Sequence, residues 1–252
     1  MSTILVTGAT SGFGKAIAYK FAKEGYDLII TGRRADRLEQ IAEDIQNGFK
    51  VKVLTLNFDV RELSQVEKAI QSIPDEVKKD LQILVNNAGL AVGRDTIDKG
   101  NTEDWDRMID TNVKGLLYVS KQVIPILKQN GVGHIINIAS TAGKETYLSG
   151  NVYCASKHAV DSLSKAMRID LLPFGIKVTN IAPGLAETEF SVVRFKGDQE
   201  KADAVYQGFE PLTGEDLAEI TYYAATTPKH VCLNDIVVTC TSQANSFYLH
   251  KS

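Results

Sequence analysis

Seven short apolar runs, separated by longer amphipathic stretches, constrain this chain more than any other feature. They are TILVT (3–7), YDLIIT (26–31), VKVLTLNF (51–58), QILVNNAG (82–89), GHIINIAS (133–140), IKVTNIAPG (176–184) and NDIVVTC (234–240). Each is rich in Val, Ile and Leu and nearly continuous rather than alternating. Strands buried on both faces read that way, because helices cover both sides of a parallel sheet. Helical patterns lie between them at residues 14–24, 35–46, 63–72, 103–129, 152–172 and 214–226. In the longest, Trp105, Met108, Ile109, Val113, Leu116, Leu117 and Val119 recur near helical spacing. Strand–helix alternation predicts an α/β fold with a doubly wound sheet. No linker rich in Pro, Gly or Ser and no internal repeat interrupts the chain, so one domain over 1–252 is expected. One polar, weakly periodic segment breaks the alternation at 185–210. An insertion of that length is a functional lid or a disordered loop, and a lid is the favoured reading.

Composition removes several functions. The net charge is −3, so no global positive field would draw a nucleic acid or an anionic membrane. Cys154, Cys232 and Cys240 are too few and too scattered for a disulfide framework, which fits a reducing cytosol and a cytoplasmic protein. His134, His158, His230 and His250 show no ligand spacing, so no metal site is expected. The first fourteen residues lack a basic region followed by a long apolar one, so no signal peptide is expected. No apolar run approaches the ~18 residues that span a bilayer.

The first strand leads into TGATSGFG (7–14), which holds Gly8, Thr10, Ser11, Gly12, Phe13 and Gly14. Glycines between a strand and a helix let the backbone approach a pyrophosphate, and the helix end offers free N–H groups. The spacing is Gly-x-x-x-Gly-x-Gly, not the commoner Gly-x-Gly-x-x-Gly. The second strand ends in TGRRADRL. A carboxylate there would accept from a ribose 2′-OH and suit NAD. Arg33 and Arg34 stand there instead, and guanidinium forks suit the 2′-phosphate of NADP. The alternative is that both are solvated surface charges.

Tyr153 and Lys157 lie four apart in GNVYCASKHAV (150–160), on one face of a helix. Alone, such a pair is a surface contact. Beside a nicotinamide it has a use: a free phenol titrates near pH ~10, and neighbouring positive charge favours the phenolate.

Taken together, the motifs resemble the short-chain dehydrogenase/reductase family over essentially the whole length. The matching pieces are TGATSGFG (7–14), NNAG (86–89), DTNVKG (110–115), INIASTAG (136–143), YCASK (153–157) and PGLAET (183–188), in the family's order. The resemblance implies a Rossmann-type sheet of seven mainly parallel strands in the order 3-2-1-4-5-6-7, a nicotinamide cofactor and a catalytic quartet. Carried over, the quartet is Asn112, Ser140, Tyr153 and Lys157. Tyr153 and Lys157 are then expected to touch the cofactor as well. Asp59 and Val60 match positions flanking the adenine, and Asn86, Ala88 and Gly89 match the turn along the cofactor. Pro183, Gly184 and Thr188 match the stretch that closes on its other side. Within the family, EFSVVRFKGDQEKADAVYQ (189–207), GNVYCASK and AGLAVGRD are similar to the NADP-dependent 3-hydroxy acid dehydrogenases, a group acting on serine, allo-threonine and other 3-hydroxy acids. Near relatives of that group reduce sulfoacetaldehyde. An Asp-Gly-Gly usual near the family's C-terminus is absent, and VVTCTSQANS stands there.

A small anionic substrate asks for a fork of donors. Arg194 in the lid and Tyr147, between Ser140 and Tyr153, are the expected donors, joining Ser140 and Tyr153 at the substrate. Cys154 and His158 flank the quartet and are read as packing residues. The resemblance also implies a homotetramer paired through the helices at 103–129 and 152–172. The aromatics of SFYLHKS (246–252) point to a tail docked on a neighbouring subunit. Other readings are a reductase of sulfoacetaldehyde or of a 3-ketoacyl thioester, and a catalytically silent NADP-binding regulator.

Overall fold

The structure, a computed structural model, describes residues 2–252. Its strands are β1 (Thr3–Val6), β2 (Asp27–Gly32), β3 (Val53–Asn57), β4 (Leu81–Asn86), β5 (His134–Ile138), β6 (Lys177–Pro183) and β7 (Asp235–Val238). Each begins within two residues of an apolar run. They pair in the order β3-β2-β1-β4-β5-β6-β7, all parallel. The chain therefore changes direction of winding between β1 and β4, and a crevice opens beyond the carboxyl ends of those strands.

The helices are α1 (Gly12–Lys23), α2 (Ala35–Gly48), α3 (Leu63–Gln71), α4 (Asp75–Asp80), α5 (Thr102–Ile109), α6 (Leu116–Asn130), α7 (Asn151–Leu171), α8 (Glu189–Arg194), α9 (Gln199–Ala204) and α10 (Gly214–Ala225). The β1 pleat shows why its sequence is apolar throughout. Ile4 and Val6 enter a core with Ile17 and Phe21 of α1, Leu38 of α2 and Leu217 of α10. Leu5, between them, faces the opposite core with Val66 of α3, Val123 of α6 and Val160 of α7. Successive side chains alternate faces, so two covered faces require an unbroken apolar run. Each such side chain contributes about 1.5–3 kcal/mol by burial.

Four regions differ from the sequence expectation. The short helix α4 has no apolar stripe and was not expected; none of its residues is buried. The helix expected over 103–129 is not continuous: α5 passes into a π-helical turn at Asp110–Gly115 before α6 begins. A π turn adds one residue per turn, which the spacing of Met108, Val113 and Leu116 conceals. At the sheet edge, Val237 of β7 is 55% exposed, so the apolar run there does not mark a covered strand. The weakly periodic lid segment folds into two short helices, α8 and α9, where the Ser191 hydroxyl of α8 meets that of Tyr206, just past α9, at 2.6 Å, and Tyr206 donates to Ala186 O at 2.7 Å.

The tail lies on its own chain's lid. Ser252 N donates to Gly208 O at 2.9 Å, and Lys251 Nζ reaches Val205 O. Ser246 N donates to Glu145 Oε2 at 2.8 Å, fastening the tail to the loop that carries Tyr147.

Candidate active site

A cavity of about 1020 Å³ occupies the crevice. One end is the turn between β1 and α1. Gly8 and Gly12 there have φ of +68° and +52°, a left-handed backbone that favours glycine. A Cβ on Gly14 would overlap Gly8 O and Asn87 Nδ2, so the first turn of α1 can pack this tightly only without one. Ser11, the α1 N-cap, does not cap its helix. Its hydroxyl instead accepts from Arg34 Nη2 at 2.9 Å, leaving the helix N–H groups open to the cavity. Arg34 also donates to Thr10 Oγ1 from Nε and Nη2, at 3.2 and 2.9 Å. Arg33 lies 3.7 Å from Asp59 Oδ2, whose stronger partner is Arg61.

At the other end α7 presents Tyr153 and Lys157 on its buried face. Lys157 Nζ sits 6.0 Å from the centre of the Tyr153 ring and donates to Ile138 O at 2.9 Å. Ser140 follows β5, and its Oγ accepts from Ala142 N at 3.1 Å. The turn thus occupies a lone pair of Ser140 and leaves its proton free to donate. The lid covers this end: Phe190 packs on Tyr153 with ring centres 5.7 Å apart. Arg194 Nη2 donates to the Tyr147 hydroxyl at 3.0 Å, and its guanidinium stands 5.5 Å from the rings of both Tyr147 and Tyr153. Arg194 Nε is buried without a partner.

The electrostatics of the protein alone run against the sequence expectation for the phenol. Burial raises the Tyr153 pKa, the neighbouring Tyr147 adds to this, and Ser140 and Arg194 oppose it more weakly. Burial also lowers the Lys157 pKa, to about 8. Both charged forms are penalised together because both side chains leave water, and the ammonium turns to a carbonyl rather than to the phenol. Tyr147 is likewise raised by burial, against the opposing pull of Arg194.

Most of the expected site residues line this one cavity: Gly8, Thr10, Ser11, Gly12, Phe13, Arg33, Arg34, Asp59, Val60, Ala88, Gly89, Ser140, Tyr147, Tyr153, Lys157, Pro183, Gly184, Thr188 and Arg194. Three stand behind its wall. Gly14 packs the turn, as described. Asn86, expected at the cofactor, donates instead to Ser120 Oγ and Asn137 Oδ1, both at 2.9 Å, inside the core. The Asn112 side chain accepts from Leu90 N and donates to Leu90 O, both at 2.8 Å, and to Ser156 Oγ at 3.0 Å. It pins the loop after β4 to α7. Arg94, Arg107 and the tail residue Ser246 also line the cavity and had not been expected there. Arg94 lies in the quoted AGLAVGRD, but nothing local sets it apart from a surface charge. Cys154 is buried and His158 bonds its own helix at Cys154 O, as packing residues do.

A sequence model of the short chain dehydrogenase family matches residues 2–199. The chain belongs to the short-chain dehydrogenases. This short-chain dehydrogenase is 45% identical over 251 residues to an NADP-dependent 3-hydroxy acid dehydrogenase of Salmonella typhi, covering 99% of each chain. It is also 45% identical to sulfoacetaldehyde reductase 2 of Chromohalobacter salexigens over 97% of this chain and 96% of that one. A solved structure of serine dehydrogenase in its closed form, complexed with NADP+, superposes with a TM-score of 0.91 at 42% identity, covering 99% of this chain and all of that one.

A short-chain dehydrogenase needs room for a dinucleotide, and the residues here fit one. The N-terminus of α1 is uncapped toward the cavity, and the arginine pair stands at the same end. The buried Thr111 hydroxyl oxygen lines the cavity without a partner. No metal-ligand cluster of His, Cys, Asp and Glu occurs among the described residues. None of their helices is long and apolar enough to cross a membrane.

Proposed function

We propose that this protein is an NADP-dependent oxidoreductase. It moves a hydride between NADP(H) and the hydroxyl-bearing carbon of a small 3-hydroxy acid or 3-hydroxy amino acid. Serine, allo-threonine and the 3-hydroxypropionate/malonic semialdehyde pair are the substrate type. The observation that carries the reading is the gathering of a phenol, a lysine, a serine hydroxyl and a lid guanidinium at one end of a cavity whose other end carries two arginines. Names borne by the relatives above, for 3-hydroxy acid and serine dehydrogenases, support the same substrate class.

When bound, NADP would supply the hydride acceptor for the carbinol carbon, and NADPH the hydride donor in the reverse direction. Gly8, Thr10, Ser11, Gly12 and Phe13, with the first turn of α1, would hold the pyrophosphate, and Arg33 and Arg34 would hold the 2′-phosphate. Asp59 and Val60 would border the adenine, while Ala88, Gly89, Pro183, Gly184 and Thr188 would border the rest of the dinucleotide. Ser140 donates its free proton to the substrate oxygen. Tyr153 exchanges the hydroxyl proton with that oxygen. A phenol raised by burial is protonated near neutrality, so the protein alone is set to donate, which is the reducing direction. Oxidation needs the phenolate, which the Lys157 ammonium and a cationic nicotinamide both favour. Asn112 fixes the loop after β4 against α7, the helix that carries Lys157. Arg194 and Tyr147 take the substrate's anionic group, and closure of the lid excludes water.

A sulfonate asks for the same donors as a carboxylate, and the sulfoacetaldehyde reductase relative favours it as a second reading. The assay that separates them follows NADPH oxidation with malonic semialdehyde, sulfoacetaldehyde and a neutral aldehyde, and NADP reduction with serine and allo-threonine. Activity on hydroxy acids with NADP supports the proposal. Turnover of the neutral aldehyde alone, or with NAD alone, overturns it.

We also place the protein in the cytoplasm, consistent with three free thiols, and propose a homotetramer. Exposed Leu117 of α6, with Ile169 and Leu172 at the end of α7, supports pairing through those helices. Phe247 and Tyr248, 60% and 72% exposed, are the part of the tail left to meet a neighbour.

A further inference from the structure

Glu189 opens the lid helix α8, yet its carboxylate is committed to the far end of the cavity. It accepts from Arg34 Nη1 at 3.1 Å and from Arg37 Nη1 at 2.9 and 3.1 Å. Arg34 Nε and Nη2 are already held by Thr10 and Ser11, so Nη1 is the arm that Glu189 takes. The partners are separated by more than 150 residues, so the link joins lid to turn rather than stabilising one helix. All three side chains are roughly half exposed, which makes these weak ion pairs. A phosphate carries about two charges and three acceptor oxygens, and outcompetes one carboxylate for such guanidiniums.

We infer that Glu189 competes with the 2′-phosphate of the cofactor for Arg34 and Arg37, and so sets how strongly the protein prefers a phosphorylated nucleotide. The inference rests on the NADP reading. Arriving phosphate takes the guanidiniums, Glu189 lets go, and the first turn of the lid helix is freed while the far end stays fastened where Gly93 N donates to Arg194 O at 3.1 Å. Arg37 thereby joins Arg33 and Arg34 as a phosphate-binding residue.

The test uses the full-length protein without substrate. Calorimetry compares adenosine 2′,5′-bisphosphate with adenosine 5′-phosphate, on wild type and Glu189→Gln. The variant is expected to bind the bisphosphate about fivefold more tightly, with the monophosphate unchanged, because two weak pairs no longer compete. Amide exchange over residues 189–194 should quicken when the bisphosphate binds wild type, and should already be fast in the variant. A bisphosphate preference that is identical in the two proteins overturns the role of Glu189 and leaves the NADP reading standing. A wild type that binds both nucleotides equally overturns both. An Arg37→Ala variant that keeps full bisphosphate affinity removes Arg37 from the site.

Discussion

Replacing Lys157 with Met should make the protein more stable and inactive in one step. The ammonium is only 6% exposed, and burial takes its pKa from 10.5 to about 8. The unfolded chain holds that proton up to pH 10.5 and the folded chain only to about 8. The folded state therefore carries a penalty that is complete below pH 8 and shrinks as pH rises toward 10.5. At pH 7 it amounts to about 3 kcal/mol. In a methionine variant Ile138 O, which accepts from Nζ at 2.9 Å, loses its donor, which costs about 1–2 kcal/mol. A methionine of similar reach sheds the penalty, bears that cost and should gain about 1–2 kcal/mol net, or about 2–6 °C in Tm for a chain of this size. Thermal melts of wild type and Lys157→Met at pH 7 and pH 9, with turnover measured alongside, check this. The advantage of the variant should fall by about 1 kcal/mol across that interval, because only wild type is relieved as pH rises. A variant that melts below wild type at pH 7, or an advantage that ignores pH, refutes the reasoning.

Arg33→Ala combined with Arg34→Ala should weaken NADP by about 100-fold in a binding titration while NAD changes little, from the loss of two charge-assisted contacts. Arg194→Ala should raise KM for acidic substrates by about 10-fold or more and leave neutral alcohols nearly unchanged, read from initial rates on both. Because burial raises Tyr153, the oxidation rate should climb with pH through the alkaline range. The reduction rate should hold near neutrality and fall there. Parallel pH profiles in the two directions would contradict that assignment.

What the sequence makes legible follows from how locally it is encoded. Two-sided burial makes the strands unbroken apolar runs, so β1 and β5 stood out. The glycine turn and the Tyr153–Lys157 pair are encoded within a few residues, and both reach the cavity. The π turn was hidden because one extra residue hardly disturbs the spacing of Val113 and Leu116. Asn86 matches a cofactor-turn motif, but its partners Ser120 and Asn137 are set by tertiary packing. The same holds for Glu189 with Arg34 and Arg37, which meet only once the lid folds over the sheet. The direction of the Tyr153 shift also needed the fold, because helical spacing brings a lysine near a phenol but cannot say how deeply both are buried.

The measurement that bears most directly on the proposed chemistry is single-turnover hydride transfer in Tyr153→Phe, with NADPH binding followed separately by fluorescence. The removed hydroxyl carries the proton while the ring keeps its packing against Phe190. Turnover should fall by about 10²- to 10⁴-fold with NADPH affinity unchanged. Near-normal turnover in that variant would show that the proton travels by another group.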